Sequence, residues 1–288
     1  MKRYLQKIVR RTDLTGSEMA DAFDMIMSGQ SSPAQTGAFL VALRMKGETA
    51  AEIAGAAASM RRHALLIDAS GLPVVDTCGT GGDSLNTFNI STTAAFVVAG
   101  AGVRVAKHGN RAVSSKCGSA DLLAALGVNI EATPDKVENC IRTAGIGFLF
   151  APALHPAMKH AGPVRRELGV RTVFNMLGPL TNPAGAKGQI LGVFAAELTE
   201  TFASVLRELG SRRALVVHGN DGMDEITTTT TTRISELRDG RITTSEFDPL
   251  HYIDRLASPS DLAGGDAQTN AGITKTVLSG AHGPPRDI

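Results

Sequence analysis

Residues able to do chemistry are concentrated in a few dense runs of glycine, hydroxyl and charged side chains. The first is Asp76-Thr-Cys-Gly-Thr-Gly-Gly-Asp83, followed by Asn89-Ile-Ser-Thr92. Glycines let a backbone approach a bulky anion and aim successive N–H groups at it. Ser91 and Thr92 open a predicted helix, and a helix N-terminus is a ready phosphate site. Asp83 would repel a bare phosphate, so it suits a cation or the hydroxyls of a ribose. The glycines alone would make only a tight turn, and the hydroxyls only a cap. Loop, acid and capped helix together read as an anion site. No Gly-Lys-Ser/Thr follows, and the spacing is not that of the dinucleotide fingerprint.

The second run is Lys107-His-Gly-Asn-Arg-Ala-Val-Ser-Ser-Lys116, then Cys117-Gly-Ser119. Lys107, Arg111 and Lys116 offer charge, and Ser114, Ser115 and Ser119 offer hydroxyl donors. Arg111 or Lys116 alone would be a solvated surface residue. The run as a whole is poor core material and reads as a phosphate loop. The third run is His218-Gly-Asn-Asp-Gly-Met-Asp224-Glu225. Adjacent carboxylates in a glycine-bearing turn suit Mg²⁺, which takes oxygen ligands and keeps waters and substrate phosphates. By itself such a pair is a solvated acidic turn; its weight comes from the two phosphate loops before it. In the fourth stretch Arg165 has a fork that fits a carboxylate, and His155, beside a proline, suits a pocket wall. A surface arginine and a loop histidine need no function, however. Cys78 and Cys117 lack a histidine at useful spacing and read as small packing residues. His63, His251 and His282 carry no readable signal.

The elements that must position these runs follow from periodicity. Residues 1–70 read as a small all-helical N-terminal domain of four short helices. Thr15-Gly-Ser17-Glu18 and Ser31-Ser32-Pro33-Ala34 are helix starts, and Gly47 stops the third helix. After Val74-Val75-Asp76, strands and helices alternate. The pattern predicts strands at 103–106, 147–150, 190–194 and 214–218, and helices at 94–101, 120–126 and 200–209. That rhythm is α/β, a mostly parallel sheet flanked by helices. In such sheets ligands sit at the carboxyl ends of strands, and every glycine-rich run above follows a predicted strand. Thr227–Thr232 is a low-complexity stretch whose β-branched residues favour a strand or edge.

Composition closes off other classes. The chain has 288 residues, enough for one large or two modest domains, with 43% hydrophobic and 20% charged residues. A net charge of +1 excludes a strongly basic nucleic-acid coat, and 4% aromatics without tryptophan argue against a stacking platform for single strands. Three widely spaced cysteines form neither a disulfide framework nor a zinc pair and fit a reducing cytosol. Neither a targeting segment nor a membrane span stands out, so a soluble cytoplasmic protein is expected.

At these residues the sequence resembles the anthranilate phosphoribosyltransferases across nearly its whole length. The resemblance rests on Gly79-Thr-Gly-Gly-Asp83, Asn89-Ile-Ser-Thr92, Lys107-His-Gly-Asn-Arg111 with Ser114-Ser115-Lys116, Arg165, Phe174-Asn-Met-Leu-Gly-Pro-Leu180 with Asn182-Pro183, and Gly222-Met-Asp-Glu225. It implies transfer of 5-phosphoribose from phosphoribosyl pyrophosphate to the amine of anthranilate in tryptophan biosynthesis. It implies a helical domain over 1–70 that dimerises and forms one wall of a cleft, an α/β domain over 71–288, and packing of part of 165–185 on the helical domain. The partners implied are the two small substrates and a second copy in a homodimer, with no nucleic acid and no membrane.

By the same resemblance, Gly79, Gly82, Asp83, Thr87, Asn89, Ile90, Ser91 and Thr92 match pyrophosphate and ribose positions. Lys107, His108, Gly109, Asn110, Arg111, Ala112, Val113, Ser114, Ser115 and Ser119 match the substrate-phosphate loop. Gly79, Asn110 and Arg165 match anthranilate positions, with His108 and His155 lining its path. Ser91, Asp224 and Glu225 match Mg²⁺ ligands. An aryl amine is already neutral at pH 7, so no residue is assigned as acid or base. The chain ends at Ile288, where the family's members usually run on for some tens of mainly helical residues. A fragment is therefore expected, with exposed apolar surface that affects stability more than chemistry. Two rivals carry less: a pyrimidine nucleoside phosphorylase would show a Lys-His-Ser-Thr-Gly-Gly loop, absent at 78–82, and a nucleic-acid-binding relative would show a basic stripe and degraded loops.

Overall fold

Capping residues set the first four helices. In the computed structural model, which describes residues 1–83, 85–112 and 116–288, these are α1 (Lys2–Val9), α2 (Gly16–Met27), α3 (Pro33–Lys46) and α4 (Ala50–Arg62). Thr15, Ser32 and Thr49 each accept from the backbone N–H three residues on, while Glu18, Gln35 and Glu52 reach back to the cap N–H. These reciprocal bonds satisfy donors that the first turn would otherwise leave bare. Pro33 occupies the first turn of α3, and Gly47 ends it at φ 90°.

The remaining chain builds β1 (Val74–Gly79), α5 (Ile90–Gly100), β2 (Arg104–Gly109), α6 (Ser119–Ala125), α7 (Pro134–Thr143), β3 (Ile146–Phe150), α8 (Ala151–Leu154), α9 (Met158–Leu168) and α10 (Phe174–Leu177). There follow β4 (Gly188–Gly192), α11 (Leu198–Glu208), β5 (Arg213–Gly219), β6 (Thr232–Arg238), β7 (Arg241–Phe247), α12 (Ala267–Leu278) and α13 (Pro284–Asp287). One seven-stranded sheet has the order β3-β2-β1-β4-β5-β6-β7. From β3 to β5 all neighbours are parallel; β6 and β7 join antiparallel as a hairpin at the edge. The order changes direction at β1, between β2 and β4, where parallel α/β sheets open a crevice at the strands' carboxyl ends. Aligned registers, Gly79 with Gly192 and Gly192 with Val217, bring the ends of β1, β4 and β5 level.

The largest apolar cluster crosses from the helices into the sheet. It joins Phe23, Phe39 and Leu43 to Phe174, Leu177 and Leu180, and continues through Leu191, Val216 and Phe202. The Phe23 and Phe174 rings lie 5.3 Å apart, and Arg61 Nε donates to the Leu180 carbonyl at 2.7 Å. Smaller clusters lie under α7 and between α5 and α6.

Two expectations need correction. The threonine run is not a strand: residues 227–231 form a looped turn, and only Thr232 enters β6. The hydroxyls of Thr227 and Thr229 bond back to Asp221, which β-propensity does not register. Helix α5 starts at Ile90, beside the Ser91–Thr92 opening read from the sequence and four residues before the apolar run 94–101, because the hydroxyl residues of its first turn are helical too.

Candidate active site

Three loops leaving the carboxyl ends of β1, β2 and β5 meet over the sheet. In the first, Gly81 and Gly82 adopt φ 66° and 82°, which a side chain would resist. The Gly81 N–H donates to Asp224 Oδ2 at 2.8 Å. The turn carrying Asp224 lies so close to β1 and β4 that a Cβ on Gly79 would overlap its carboxylate, and one on Gly192 its carbonyl oxygen. Thr80 fixes the loop root: its N–H donates to the Gly192 carbonyl at 2.9 Å, and its hydroxyl accepts from Phe194 N at 3.1 Å. Asp83 Oδ1 accepts from Leu85 N at 3.2 Å.

Behind this loop, the N-terminus of α5 meets the second acid. Ser91 N–H donates to Glu225 Oε1 at 3.1 Å, a carboxylate on a positive helix end. Lys107, 3% exposed, enters from β2. Its ammonium donates to the Thr77 carbonyl and approaches Ser91 Oγ at 3.4 Å, while Thr77 Oγ1 donates to the Ser91 carbonyl at 3.0 Å. Burial pushes the Asp224 carboxyl up to about 6, helped by the Asp83 charge. Burial pushes the Glu225 carboxyl up to about 8, helped by Asp224 and opposed by Lys107. Burial also lowers the Lys107 ammonium, against the pull of Asp76. A positive charge among these carboxylates would relieve their mutual repulsion.

The second loop is tied down by Asp121 of α6. Its Oδ2 accepts from Ala112 N at 2.9 Å and Gly118 N at 3.0 Å, and its Oδ1 from Arg111 Nη1 at 3.0 Å. Arg111 also lies over the Phe150 ring, 5.9 Å from its centre. Ser119 Oγ donates to the Asn110 carbonyl at 3.2 Å. Asn89 joins this loop to α12: Nδ2 donates to the Cys117 carbonyl at 3.0 Å, and Oδ1 accepts from Asn270 Nδ2 at 2.9 Å. Thr87 bridges to Ala263, and Ile90 and Thr92 are buried. Val113, Ser114 and Ser115 lie outside the described residues.

Further in, His108 and His155 form a buried pair with Nε2 atoms 3.2 Å apart. His108 Nδ1 faces the Gly178 carbonyl at 3.1 Å, so that nitrogen carries the proton. His108 Nε2 is then an acceptor and His155 Nε2–H its donor, leaving His155 Nδ1 a buried lone pair without a partner among the described residues. Burial lowers His108 to about 3 and His155 to about 4. Arg165, half-buried on α9, stacks over the Phe174 ring at 5.0 Å, and burial lowers its guanidinium from the usual value. Gly109 and Asn110 continue from His108. The two histidines are thus brought together, Asn110 lies in the adjoining loop, and Arg165 belongs to the neighbouring helix.

Residues with no role assigned from sequence also build the site. Asp76, fully buried in β1, accepts from His108 N at 3.1 Å and Asn182 Nδ2 at 2.8 Å. Burial raises its carboxyl and Lys107 opposes the shift. A carboxylate inside an apolar strand was the signal. Arg171 Nη2 donates to the Gly82 carbonyl at 2.8 Å and lies over Phe194; nothing in its spacing marked it. Cys78 accepts from Gln189 Nε2 at 3.1 Å, and burial pushes its thiol well up, as expected of a packing cysteine.

The donor set around the acids is all oxygen: Asp83, Asp224, Glu225 and Ser91. That suits Mg²⁺ and not softer metals. Among the described residues no three His, Cys, Asp or Glu side chains close around a single point.

Comparison with known proteins gives a consistent picture. The family described as a glycosyl transferase family, helical bundle domain, matches residues 2–64, and its α/β domain matches residues 71–288. The anthranilate phosphoribosyltransferase of Syntrophobacter fumaroxidans is 59% identical over 284 residues, covering 99% of this chain and 84% of the relative. That of Acetivibrio thermocellus is 56% identical over 288 residues, covering 100% and 84%. Among solved structures, the Thermus thermophilus enzyme superposes with a TM-score of 0.93 at 44% identity, covering 99% of this chain and 85% of that one. The Saccharomyces cerevisiae enzyme in complex with phosphoribosyl pyrophosphate and Mg superposes with a TM-score of 0.89 at 31% identity, covering 99% and 84%.

Proposed function

The chain belongs to the anthranilate phosphoribosyltransferase family, and from that premise we propose how its residues divide the work of the reaction. The reaction moves 5-phosphoribose from phosphoribosyl pyrophosphate to the amine of anthranilate, releasing pyrophosphate, as a step of tryptophan biosynthesis. The carrying observation is the convergence of the β1 loop, the N-terminus of α5, the end of β2 and the turn after β5: Gly81 N–H on Asp224, Ser91 N–H on Glu225, and the Lys107 ammonium beside Ser91.

In this reading the β1 loop, from Gly79 to Asp83, with Thr87 and Asn89 to Thr92, holds the pyrophosphate and ribose. Lys107 to Ser115, with Ser119, holds the substrate phosphate. Asp224, Glu225 and Ser91 would hold Mg²⁺, with waters and phosphate oxygens completing the set. Bound there, the ion would neutralise charge on the departing pyrophosphate. Lys107 and the backbone N–H groups add fixed positive potential in a recessed site, where it needs no reorganisation as the bond to ribose C1 breaks. Arg165 anchors the anthranilate carboxylate, Asn110 and Gly79 contact the ring substituents, and His108 with His155 line its path. Positioning does the remaining work, since the amine is neutral and needs no strong base.

A homodimer through the helices is part of this reading. Val9 of α1 and Met45 of α3 are 66% and 74% exposed on elements that touch each other, which offers an apolar face to a second copy. A reducing cytoplasm suits a chain in which no disulfide links the described cysteines. No helix among the described residues is long and apolar enough to cross a membrane.

The test is loss of anthranilate fluorescence with phosphoribosyl pyrophosphate, with and without Mg²⁺. Mg²⁺-dependent consumption is expected. A folded chain that leaves anthranilate untouched under both conditions would refute the assignment.

A further inference from the structure

The threonine run that the phosphate and metal loops leave over is gathered around Asp221. Oδ2 of Asp221 accepts from the Thr227 hydroxyl at 2.7 Å and from the Thr229 hydroxyl. Its Oδ1 accepts from Met223 N at 3.0 Å. Thr229 N donates to Thr227 Oγ1 at 3.0 Å, and Thr227 N to Thr232 Oγ1 at 3.0 Å. Met223 is buried against Phe88, Ile90 and Leu262, and its carbonyl accepts from Gly219 N at 2.8 Å. One carboxylate therefore holds the chain on both sides of the acidic pair, Met223 before it and Thr227 after it. The backbone of Asp224 and Glu225 is closed into a loop by bonds that use neither side chain, so both remain turned towards Gly81 and Ser91.

We infer that Asp221 is a positioning residue for the acidic pair at 224 and 225, acting through the hydroxyls of Thr227 and Thr229. The inference rests on the assignment of that pair to Mg²⁺. Groups outside a metal's own ligand set orient the ligands, and their loss costs about tenfold to a hundredfold in affinity. The threonines are needed here as donors, because a valine of the same shape would leave the Asp221 lone pairs bare.

The test is binding of Mn²⁺, as a paramagnetic stand-in, read by water-proton relaxation with phosphoribosyl pyrophosphate present and anthranilate absent, so that no turnover intervenes. Asp221→Asn and Thr227→Val should each weaken Mn²⁺ binding about tenfold to a hundredfold. The double variant should lose little more than Asp221→Asn alone, since both remove one network. Thr227→Ser, which keeps the hydroxyl, should restore binding, and at saturating Mg²⁺ the anthranilate KM of Asp221→Asn should stay within about twofold of the parent. Unchanged Mn²⁺ affinity in Asp221→Asn, with Asp224→Ala abolishing it, would overturn the inference while sparing the metal assignment. Unchanged affinity in Asp224→Ala would overturn both. Should Asp221→Asn not fold, Thr229→Val, at a half-exposed position, carries the same expectation and the same refutation.

Discussion

The arginine on α9 and the histidine pair behind it make the most specific claims about single side chains. Arg165 has a half-buried guanidinium over Phe174, and a charged hydrogen bond lost there is worth about 1.5–3 kcal/mol. Arg165→Ala should therefore raise the anthranilate KM about tenfold to a hundredfold and change the KM for phosphoribosyl pyrophosphate much less. An unchanged anthranilate KM would remove the anchor role. The histidines predict a pH effect on stability. Their folded values, about 3 for His108 and about 4 for His155, lie below the ordinary 6.5. Between those limits the unfolded chain binds protons that the folded chain refuses, so stability falls as pH falls from about 6.5 towards 4, by up to about 1.4 kcal/mol per pH unit for each ring. Urea midpoints from pH 7 to 5 should drop less steeply in His155→Gln than in the parent; parallel slopes would mean that other groups titrate. The loops carrying these chemistries were legible as sequence, since glycines, hydroxyls and charges crowd them. The pairing of His108 with His155 was not legible from spacing, because 47 residues separate them and only the β2–β3 register brings the strand ends together. The same holds for Asp76 with Asn182, and for Arg171, whose partner is a backbone carbonyl.

Among the elements, helix starts were the most legible feature, because a capping bond is made within four residues of chain. Thr15 with Glu18 and Ser32 with Gln35 needed no tertiary information. The parallel strands followed from short apolar runs, each ending in a glycine-rich loop. Helix α7 and the β6–β7 hairpin escaped notice: α7 is polar on most positions, and β7 is largely exposed, so neither has the apolar signature of a buried element. Close approach between elements is also invisible in one dimension. Helices α2 and α4 cross where a Cβ on Gly55 would stand 3.0 Å from the Gly16 carbonyl carbon. Gly55→Ala should push them apart and cost about 1–3 kcal/mol, read as a lower urea midpoint. A variant as stable as the parent would show that the crossing relaxes freely.

At the scale of the whole chain, the main apolar cluster passes from the four helices through Phe174 and Leu177 into β4, β5 and α11 without a break. A core shared in this way predicts one cooperative unfolding transition, with calorimetric and van't Hoff enthalpies in agreement; two resolved transitions would show that the helices melt on their own. The cysteines bear on how such experiments can be done. Cys117 is buried, Cys78 lies within β1 with burial holding the proton on its thiol, and Cys140 stands exposed on α7. A maleimide dye added to the native protein should thus attach at a single address, with the other two sulfurs reached only after denaturation. The molecule already carries its own handle for immobilisation or distance spectroscopy, placed on α7, and no cysteine would have to be engineered in or out to use it.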